Sequence, residues 1–550
     1  MNPLHILGAP DEAATGGLAA PQPSATSAEV RDAPPDLASA QRPRWYGLLD
    51  SRVTALLAVA AVAAPAAVLR LWNVNALGFN SDEAVYAGQA AAIAGDPRVS
   101  LLFPVFRAHP LLFQMATSLI YRVHVSDLAP RLLGVAFGLA TVAVGYAAGE
   151  RIYGRRAGLV AALVLAVMPY LVIVNRQGLL DGPMAFFTVL ALWLLAKFAA
   201  EGSRRALYGA GAALGLAFIS KETAIVLVPA AYAFLALTPS VRIRFKDVWT
   251  FFGCIAVVAL PYPVSLIAAG GSSSGKHFLT WQLFRPPNHA GTFYAAVVPA
   301  SLGIPVVACA AGALIAAAAA RRWSWRESLL VCWILVPLFF FQLWPVKGFQ
   351  YLLPVAAPCA VLAGGLLTDA RLAQRLARGR VRAGQLISVG ATAAVAVWLA
   401  VTCWMSIDTA NSTTFLAGTG GVPGGREAGE WIAAHTPSGT EMLAIGPSMA
   451  NILEFYGHRK VLGLAVSPNP LHRNPVYTPV GNPDSLLRSG LAQYVVWDAY
   501  SAARSRYFSQ RLMSYVRRYH GSVLHAQSVS VTTPTGTVRR PVVVIYQVRS

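Results

Sequence analysis

Long apolar segments recur through most of this chain, and they constrain its fold more than any other feature. Segments of roughly 18 to 25 apolar residues, each long enough to cross a bilayer as a helix, follow one another between residues 53 and 406. Hydrophobic residues make up 56% of the 550 residues and charged residues only 12%. A soluble chain would carry about a quarter charged residues. Residues 42–406 are therefore predicted to form an all-α polytopic membrane domain.

The Lys and Arg residues indicate how this domain is oriented. They cluster before the first apolar segment and in every second loop after it. Because basic loops remain in the cytoplasm, the N-terminus is predicted to be cytoplasmic and the C-terminal region extracytoplasmic. This placement also accounts for the net charge of +20 without nucleic acid as a partner. The predicted transmembrane helices, about eleven in number, lie at residues 53–73, 130–149, 157–174, 183–198, 206–219, 223–238, 248–269, 294–320, 328–345, 350–368 and 384–406.

Two apolar regions contain segments too short to cross a bilayer in the ordinary way. Residues 110–124 are predicted to form an interfacial or re-entrant helix within a first external loop, 74–129, because a span there would place the later basic loops outside. The motif SKET divides residues 206–238 into halves of about 14 residues, each covering about 21 Å of a hydrocarbon core about 30 Å thick. The turn with Lys221 and Glu222 is therefore expected below the outer surface, facing a cavity.

The two ends of the chain differ from its apolar middle. Residues 1–41 are rich in Ala, Pro, Ser and Asp and predict a disordered cytoplasmic tail. Residues 420–550 alternate helical and strand-like patterns, such as EMLAIG, QYVVWD and RPVVVIYQVR, and predict a small extracytoplasmic α/β domain. All five cysteines lie in apolar segments without paired spacing, so neither a disulfide framework nor a zinc site is expected.

The predicted topology brings many charged and polar residues to the external ends of the helices. A charge at membrane depth is costly, so such residues usually face a cavity and carry a function. The adjacent carboxylates Asp82 and Glu83 come first, directly after the first helix. The later members of this external set are His109, Asp181, Lys221, Glu222, Lys276, His277, Arg285, Lys347, Gln350 and Tyr351.

The acids in this set also have structural explanations. Ser81 could cap a surface helix whose first turn contains Asp82 and Glu83, where carboxylates interact favourably with the helix dipole. Asp181 precedes Gly182-Pro183 and could cap the fourth transmembrane helix.

The basic residues have structural explanations as well. Lys221 could pair with Glu222, Lys347 could extend to the lipid headgroups, and His109 could belong to a loop turn. The residues alone leave both kinds of explanation open. The structural explanations do not say, however, why all these residues share one side of the membrane.

A series of motifs within residues 53–368 resembles the polyprenyl-phosphate-dependent glycosyltransferases of the GT-C type. The resemblance is closest to the protein O-mannosyltransferases and the lipid A aminoarabinose transferases. Ala108-His109-Pro110 stands where the family has a Lys-Pro-Pro-type stretch. The motifs, in chain order, are the external DE pair, FRAHPLLFQ, RLLGVAFGLATVAVGYAAGERIYGRRAGLVAALVLAVMPYLV, NRQGLLDGPMAFF, GLAFISKETA and GFQYLLPVAAPCAVL.

The resemblance implies a GT-C fold and an activity. The implied reaction transfers a sugar from a polyprenyl-phosphate-linked donor to an extracytoplasmic hydroxyl of a cell-envelope glycan, a lipid or a protein. Asp82 then corresponds to the catalytic base and Glu83 to its neighbour, and Asp181 helps to position the acceptor or a divalent metal. Lys221, Lys347 and Tyr351 correspond to positions near the lipid phosphate. The complete set of predicted substrate-binding residues is His109, Lys221, Glu222, Arg285, Lys347 and Tyr351.

The chemistry of such a transfer fits this set of residues. A base near the acceptor hydroxyl and cations around the leaving phosphate are both required. A single base opposite the leaving group implies direct displacement with inversion, whereas retention would require a carboxylate nucleophile. The alternatives are non-enzymatic: a transporter or lipid carrier, or a glycan-binding scaffold. Packing of the acids of the first external loop over the Lys221 hairpin would favour the enzyme over the carrier.

Overall fold

Helices account for nearly all of the regular structure in the apolar part of the chain. This computed structural model describes residues 52–105, 109–268, 281–282, 284–408, 421–474, 476–533 and 536–549. Leu57–Ser550 belong to one structural unit, which the following paragraphs describe. The predicted disordered tail at 1–41 and the predicted external residues Lys276 and His277 lie outside the described residues.

The helices of the apolar part follow one another with short connections. Among the described residues, two 3₁₀ helices, Glu222–Val226 and Phe349–Val355, interrupt the series. In chain order, the α-helices are α1 (Arg52–Leu71), α2 (Ser81–Ala94), α3 (Leu112–Tyr121), α4 (Leu128–Tyr153), α5 (Arg155–Val167), α6 (Pro169–Asn175), α7 (Asp181–Glu201), α8 (Arg204–Ser220), α9 (Leu227–Leu237), α10 (Phe245–Ala259), α11 (Pro261–Ala268), α12 (Phe293–Leu302), α13 (Ile304–Ala319), α14 (Trp325–Leu343), α15 (Ala356–Leu367), α16 (Ala370–Leu376) and α17 (Val381–Ile407).

Helical structure is present at every predicted transmembrane segment, but not all of these helices have membrane-spanning length. Among the described residues, five helices are long and apolar enough to cross a bilayer, or up to eight if each bent pair forms one span. The bent pairs are α5 with α6, α10 with α11, and α12 with α13, which bend by 57°, 43° and 95°. The mostly helical membrane fold is thus confirmed, and the count of about eleven spans stays a prediction.

The bends have local causes in the sequence. Met168 is extended before Pro169, as expected for a residue that precedes proline, and α6 begins at that proline. Gly303 separates α12 from α13 with a φ of 92°, a conformation that glycine adopts without steric cost. The α5–α6 bend is thus explained by a proline at the start of a helix, and the α12–α13 bend by a glycine between two helices.

The two short apolar regions have the structure that their lengths predict. Helix α3 has 10 residues and rises about 15 Å, which is half the thickness of the hydrocarbon core. It packs against α2 and α4 in the first external loop. Helix α8 ends at Ser220, Lys221 is extended, and the next helical segment begins at Glu222. The motif SKET therefore forms the turn of a helical hairpin.

A mixed five-stranded sheet with flanking helices forms the region after residue 420. The strand order is β2-β1-β3-β5-β4, with β1 parallel to β2 and β3, and β5 antiparallel to β3 and β4. The elements are α18 (Gly425–His435), β1 (Glu441–Ala444), α19 (Pro447–Gly457), β2 (Lys460–Gly463), α20 (Pro483–Arg488), β3 (Ala492–Asp498), α21 (Ala499–Arg504), α22 (Arg506–Arg518), β4 (Ser522–Thr533) and β5 (Gly536–Gln547).

Two arginines from distant parts of the chain hold the loop at residues 74–78, which leads into α2. Arg131 on α4 donates hydrogen bonds to the main-chain oxygens of Val74, Leu77 and Gly78 at 3.0, 2.7 and 3.0 Å. Arg426 on α18 donates to the main-chain oxygen of Leu77 at 2.9 Å. A Cβ at Gly78 would lie 2.7 Å from the Cβ of Arg426, so glycine permits this close approach. The loop is thereby attached both to the helical domain and to the sheet domain.

The cap of α2 differs from the prediction. Asn80, and not Ser81, is the N-cap, and its side chain accepts hydrogen bonds from the main-chain N–H groups of Asp82 and Glu83. The Glu83 carboxylate in turn accepts the N–H of Asn80 at 3.1 Å, which completes a capping box. Ser81 is the first helical residue, and its hydroxyl accepts a hydrogen bond from Asn451 of the sheet domain.

The orientation of the chain in the membrane can be tested with reporters. A reporter fused after Ser550 is expected to be extracytoplasmic, and one inserted near Arg375 cytoplasmic, because the basic loops share one side. Paired alkaline phosphatase and fluorescent protein fusions measure the two positions. A cytoplasmic reporter after Ser550 would contradict this orientation, because residues 110–124 would then have to cross the bilayer.

Candidate active site

Asp82 lies in the first turn of α2, where its exposed side chain lines a cavity of about 380 Å³. Within the described part of the chain, its carboxylate has neither a hydrogen-bond partner nor an ion-pair partner. The same cavity is lined by Asn80, Gln177, His289 and Gln350, which come from separate segments. A carboxylate in this position can accept a proton from a molecule that enters the cavity.

The neighbouring Glu83 is held in a buried ion pair. Its two oxygens accept hydrogen bonds from Nε and Nη2 of Arg131, each at 2.9 Å, and both side chains are 0% exposed. The N–H of Gly178 also donates to Oε1 of Glu83 at 2.9 Å. The predicted catalytic pair thus separates into one accessible carboxylate, Asp82, and one that joins α2, α4 and the α6–α7 connection.

Asp181 begins α7 and pairs with Lys221. The Lys221 ammonium lies 2.8 Å from each Asp181 carboxylate oxygen, and both side chains are almost fully buried. One structural explanation predicted that Lys221 pairs with Glu222, and this prediction is wrong. Lys221 pairs with Asp181 instead, because adjacent residues at this turn point in different directions. The pair connects the SKET turn to the start of α7.

Glu222 pairs instead with His109 of the first external loop. Nδ1 of His109 lies 3.1 Å from both carboxylate oxygens of Glu222, and each side chain is about a quarter exposed. Burial lowers the pKa of His109, but the charge and hydrogen bond of Glu222 outweigh burial, and the pKa is raised overall. The ring edge of Tyr86 on α2 packs against the imidazole of His109 at 5.9 Å between centroids. The first loop thus packs over the Lys221 hairpin.

Lys347 caps a helix. Its ammonium donates to the main-chain oxygens of Phe341, Gln342 and Trp344 at 3.4, 2.9 and 3.1 Å. These oxygens lie at the end of α14, where carbonyl groups lack helical partners and favour a cation. Lys347 is 5% exposed, so it does not extend toward lipid headgroups.

Arg285 and Tyr351 lie near Asp82 and the Lys221 hairpin. The Arg285 guanidinium stacks on Trp281 at 4.4 Å and donates to the side chain of Gln282. Burial lowers the pKa of Arg285, and electrostatic interactions with Tyr351 and, less strongly, with Asp82 partly offset this effect. The Lys221 ammonium lies 5.6 Å from the Tyr351 ring centre. In the described residues, Arg285 has no carboxylate partner.

The acids do not form a metal-binding group. Within the described ranges, no cluster of three or more His, Cys, Asp and Glu side chains could hold a metal ion. Lys221 engages both carboxylate oxygens of Asp181, which was the predicted metal candidate. This arrangement does not fit a divalent cation at Asp181.

Sequence reasoning missed several residues that line or support the cavity. Arg131 supports it from α4, and His289 and Arg504 line it directly. The arginine at 131 stands inside an apolar helix, where a buried charge signals a partner. Arg504 lies in the sheet domain, and no motif in the sequence indicates that this domain reaches the cavity.

Comparison with known proteins identifies similar sequences over part of the chain. The family model described as dolichyl-phosphate-mannose-protein mannosyltransferase matches residues 108–267. An undecaprenyl phosphate-alpha-4-amino-4-deoxy-L-arabinose arabinosyl transferase of Sodalis glossinidius is 31% identical over 229 residues, which are 38% of this chain and 39% of the relative. The corresponding transferase of Pectobacterium carotovorum is 24% identical over 44% of this chain and 46% of its own length. The chain thus spans less than half the length of these relatives.

Solved structures are similar over nearly the whole chain. ArnT from Cupriavidus metallidurans in the apo state matches with a TM-score of 0.61 and 15% identity, over 90% of this chain and 98% of ArnT. ArnT bound to undecaprenyl phosphate matches with a TM-score of 0.59 at 15% identity, over the same shares of the two chains. The Archaeoglobus fulgidus oligosaccharyltransferase matches with a TM-score of 0.56 and 14% identity, over 90% of this chain and 74% of that protein.

These likenesses agree with the motifs. The family model covers Asp181 and the Lys221 hairpin, and the structural similarity extends to the sheet domain. The chain therefore has the GT-C type fold of a membrane protein, and its predicted resemblance to the polyprenyl-phosphate-dependent glycosyltransferases is confirmed.

Proposed function

We propose that this chain transfers a sugar from a polyprenyl-phosphate-linked donor to an extracytoplasmic acceptor hydroxyl, with inversion at the sugar. One observation carries the proposal: of the three predicted catalytic acids, Asp82 alone presents a carboxylate to the cavity without a partner among the described residues. Glu83 and Asp181 are both held in buried ion pairs. The name of the matching family refers to mannose carried by dolichyl phosphate, and the names of the relatives refer to aminoarabinose carried by undecaprenyl phosphate. These names support a lipid-phosphate-linked sugar as the donor.

Asp82 is the proposed general base. The acceptor oxygen forms a bond to the anomeric carbon of the sugar while its proton moves to the Asp82 carboxylate. The bond between the anomeric carbon and the phosphate oxygen breaks, and its electrons leave with the lipid phosphate. Alcohols lose a proton poorly at neutral pH, so a base in hydrogen-bond reach of the hydroxyl lowers the barrier.

Glu83 and Asp181 have positioning roles in this proposal. Glu83 fixes the first turn of α2 through Arg131, so Asp82 is directed into the cavity. Asp181 holds Lys221 at the hairpin turn beneath Tyr351. Each of these ion pairs is buried, and a buried pair keeps its geometry because loss of one partner leaves an uncompensated charge.

The leaving phosphate is proposed to bind Arg285. Lys221 and Lys347 were predicted for this role, but Lys221 is engaged by Asp181 and Lys347 by three carbonyl oxygens. Arg285 lies close enough to Asp82 for the two charges to interact, and its side chain is only partly exposed. A guanidinium in a partly desolvated site stabilises the charge that develops on a phosphate.

The packing of the first external loop favours an enzyme over a lipid carrier. His109 of this loop binds Glu222 of the hairpin, so the loop covers the hairpin instead of lying apart from it. Asp82 influences the pKa of His109, so this acid also lies near the hairpin turn. A closed arrangement of base, loop and hairpin suits a reaction that must exclude water.

Replacement of Asp82 tests the assignment of the base. Asp82→Asn keeps the shape of the side chain and removes its basicity, so kcat for sugar transfer should fall about 10²- to 10⁴-fold. Binding of undecaprenyl phosphate should be retained, because the proposal places the phosphate on Arg285 and removal of a nearby negative charge does not weaken binding of an anion. Transfer of sugar from a radiolabelled polyprenyl-phosphate donor by the purified protein measures kcat.

A matched control lies in the same external loop. Asp96 pairs with Arg98 and does not line the cavity of Asp82, so Asp96→Asn should transfer sugar like the unchanged protein. Near-normal transfer by Asp82→Asn would remove Asp82 as the base and leave Glu83 and Asp181 as candidates.

Replacement of Arg285 tests the site of the leaving phosphate. Arg285→Met keeps an apolar stem and removes the charge, so kcat/KM for the donor should fall roughly tenfold to a hundredfold. Lys347→Met should lower the Tm of the protein, because α14 loses its cap, with little change in donor use per folded molecule. Arg322→Met, in an exposed loop on the predicted cytoplasmic side, is the control. If Lys347→Met loses donor use and Arg285→Met does not, the phosphate site is assigned to Lys347 instead of Arg285.

A further inference from the structure

The cavity of Asp82 is lined by both apolar and polar residues, and its apolar residues are called the apolar wall here. The wall consists of Val174, Leu179, Phe293, Val297 and Phe349, which come from α6, its connection to α7, α12 and the 3₁₀ helix before α15. These are aliphatic and aromatic side chains of the predicted membrane domain. A wall of this kind accommodates a hydrocarbon chain and offers no hydrogen bonds to a sugar or a peptide.

The polar lining residues, called the polar end here, include Asp82, His289, Gln350 and Arg504. Three of these residues belong to loops and helix starts of the helical domain. Arg504 is the exception, because it belongs to the sheet domain and follows β3 through the short helix α21. The sheet domain thus contributes one cation directly to the cavity that contains the proposed base.

Local contacts hold Arg504 in this position. Asp498, at the end of β3, caps α21 by accepting the N–H of Ser501 at 2.6 Å. The Arg504 guanidinium donates to the hydroxyl of Tyr500 at 2.5 Å and stacks on its ring at 5.0 Å. Burial raises the pKa of Tyr500, and the negative charge of Asp82 adds to this rise, so α21 lies near the base.

Arg504 has no ion-pair partner among the residues that the structure describes. Its side chain is exposed. Tyr500 supplies one hydrogen-bond acceptor, whereas a guanidinium has five N–H donors. The remaining donors are available to an anion at the polar end of the cavity.

We propose that Arg504 binds the phosphate of the lipid-linked substrate, so that the sheet domain completes the donor site of the helical domain. This inference rests on the proposed function and extends it to a residue outside the matched family region. A cavity with an apolar wall and a guanidinium without a carboxylate partner among the described residues fits an amphipathic molecule with an anionic headgroup. Arg504 would then add a guanidinium from the sheet domain to the one that Arg285 supplies from the helical domain, and guanidinium groups bind phosphate oxygens well.

Binding of undecaprenyl phosphate to the purified full-length protein tests this inference without requiring transfer. Arg504→Met should weaken this binding roughly tenfold to a hundredfold, because one charge-assisted contact is lost. Arg504→Lys should recover most of the affinity, because it restores the charge. Undecaprenol, which has the same chain and no phosphate, should bind the unchanged protein and Arg504→Met equally. Native mass spectrometry of the protein in detergent measures each of these affinities.

The control variant is Arg506→Met. Arg506 is also an exposed arginine, two positions further along, and it does not line the cavity. It should bind undecaprenyl phosphate with unchanged affinity. Inorganic phosphate at millimolar concentration should not displace undecaprenyl phosphate, because the apolar wall contributes to binding.

Two results would overturn the inference, and they are distinct from failure of the proposed function. Unchanged affinity of Arg504→Met for undecaprenyl phosphate would remove Arg504 from the donor site. Displacement of undecaprenyl phosphate by inorganic phosphate at millimolar concentration would indicate that Arg504 binds a soluble anion. If the unchanged protein does not bind undecaprenyl phosphate, the proposed function itself fails.

Discussion

The buried ion pair between Arg131 and Glu83 is the interaction on which the geometry of the candidate site depends. Arg131 lies within the transmembrane helix α4, where an unpaired charge would be very unfavourable. Its guanidinium is satisfied by the Glu83 carboxylate and by main-chain oxygens of the loop at 74–78. Loss of one partner of such a pair typically costs about 3–5 kcal/mol. The pair therefore fixes the first turn of α2, and Asp82 is directed into the cavity as a consequence.

The sheet domain reinforces this arrangement from the other side. Arg426 binds the same loop and forms an ion pair with Asp127 at 2.8 Å, and the Tyr456 hydroxyl donates to Asp127 and accepts the N–H of Phe79. These contacts connect the segment before Asp82 to α18 and α19. With Arg504 at the cavity, they give the sheet domain a direct part in shaping the site.

The sequence predicted the elements better than their partners. The lengths of the apolar runs predicted helices where the structure has them, and the DE motif drew attention to Asp82, which lines the cavity, because these signals are local. Two strands, β2 and β4, lacked a clear pattern: β2 has only four residues, and β4 mixes polar and apolar residues at the edge of the sheet. The pairs Asp181–Lys221 and His109–Glu222 join residues 40 and 113 positions apart, so no local pattern could specify them. The structural explanation in which Lys221 pairs with Glu222 was wrong for the same reason.

A structure of the protein with undecaprenyl phosphate, determined by cryo-electron microscopy, tests the central claim most directly. The account predicts that the phosphate lies in the cavity beside Asp82 and contacts the Arg285 guanidinium. It also predicts that Lys221 remains paired with Asp181 and that Lys347 remains on the carbonyl oxygens of α14. A phosphate bound to Lys221 or Lys347, with the present partners of that lysine released, would contradict the account.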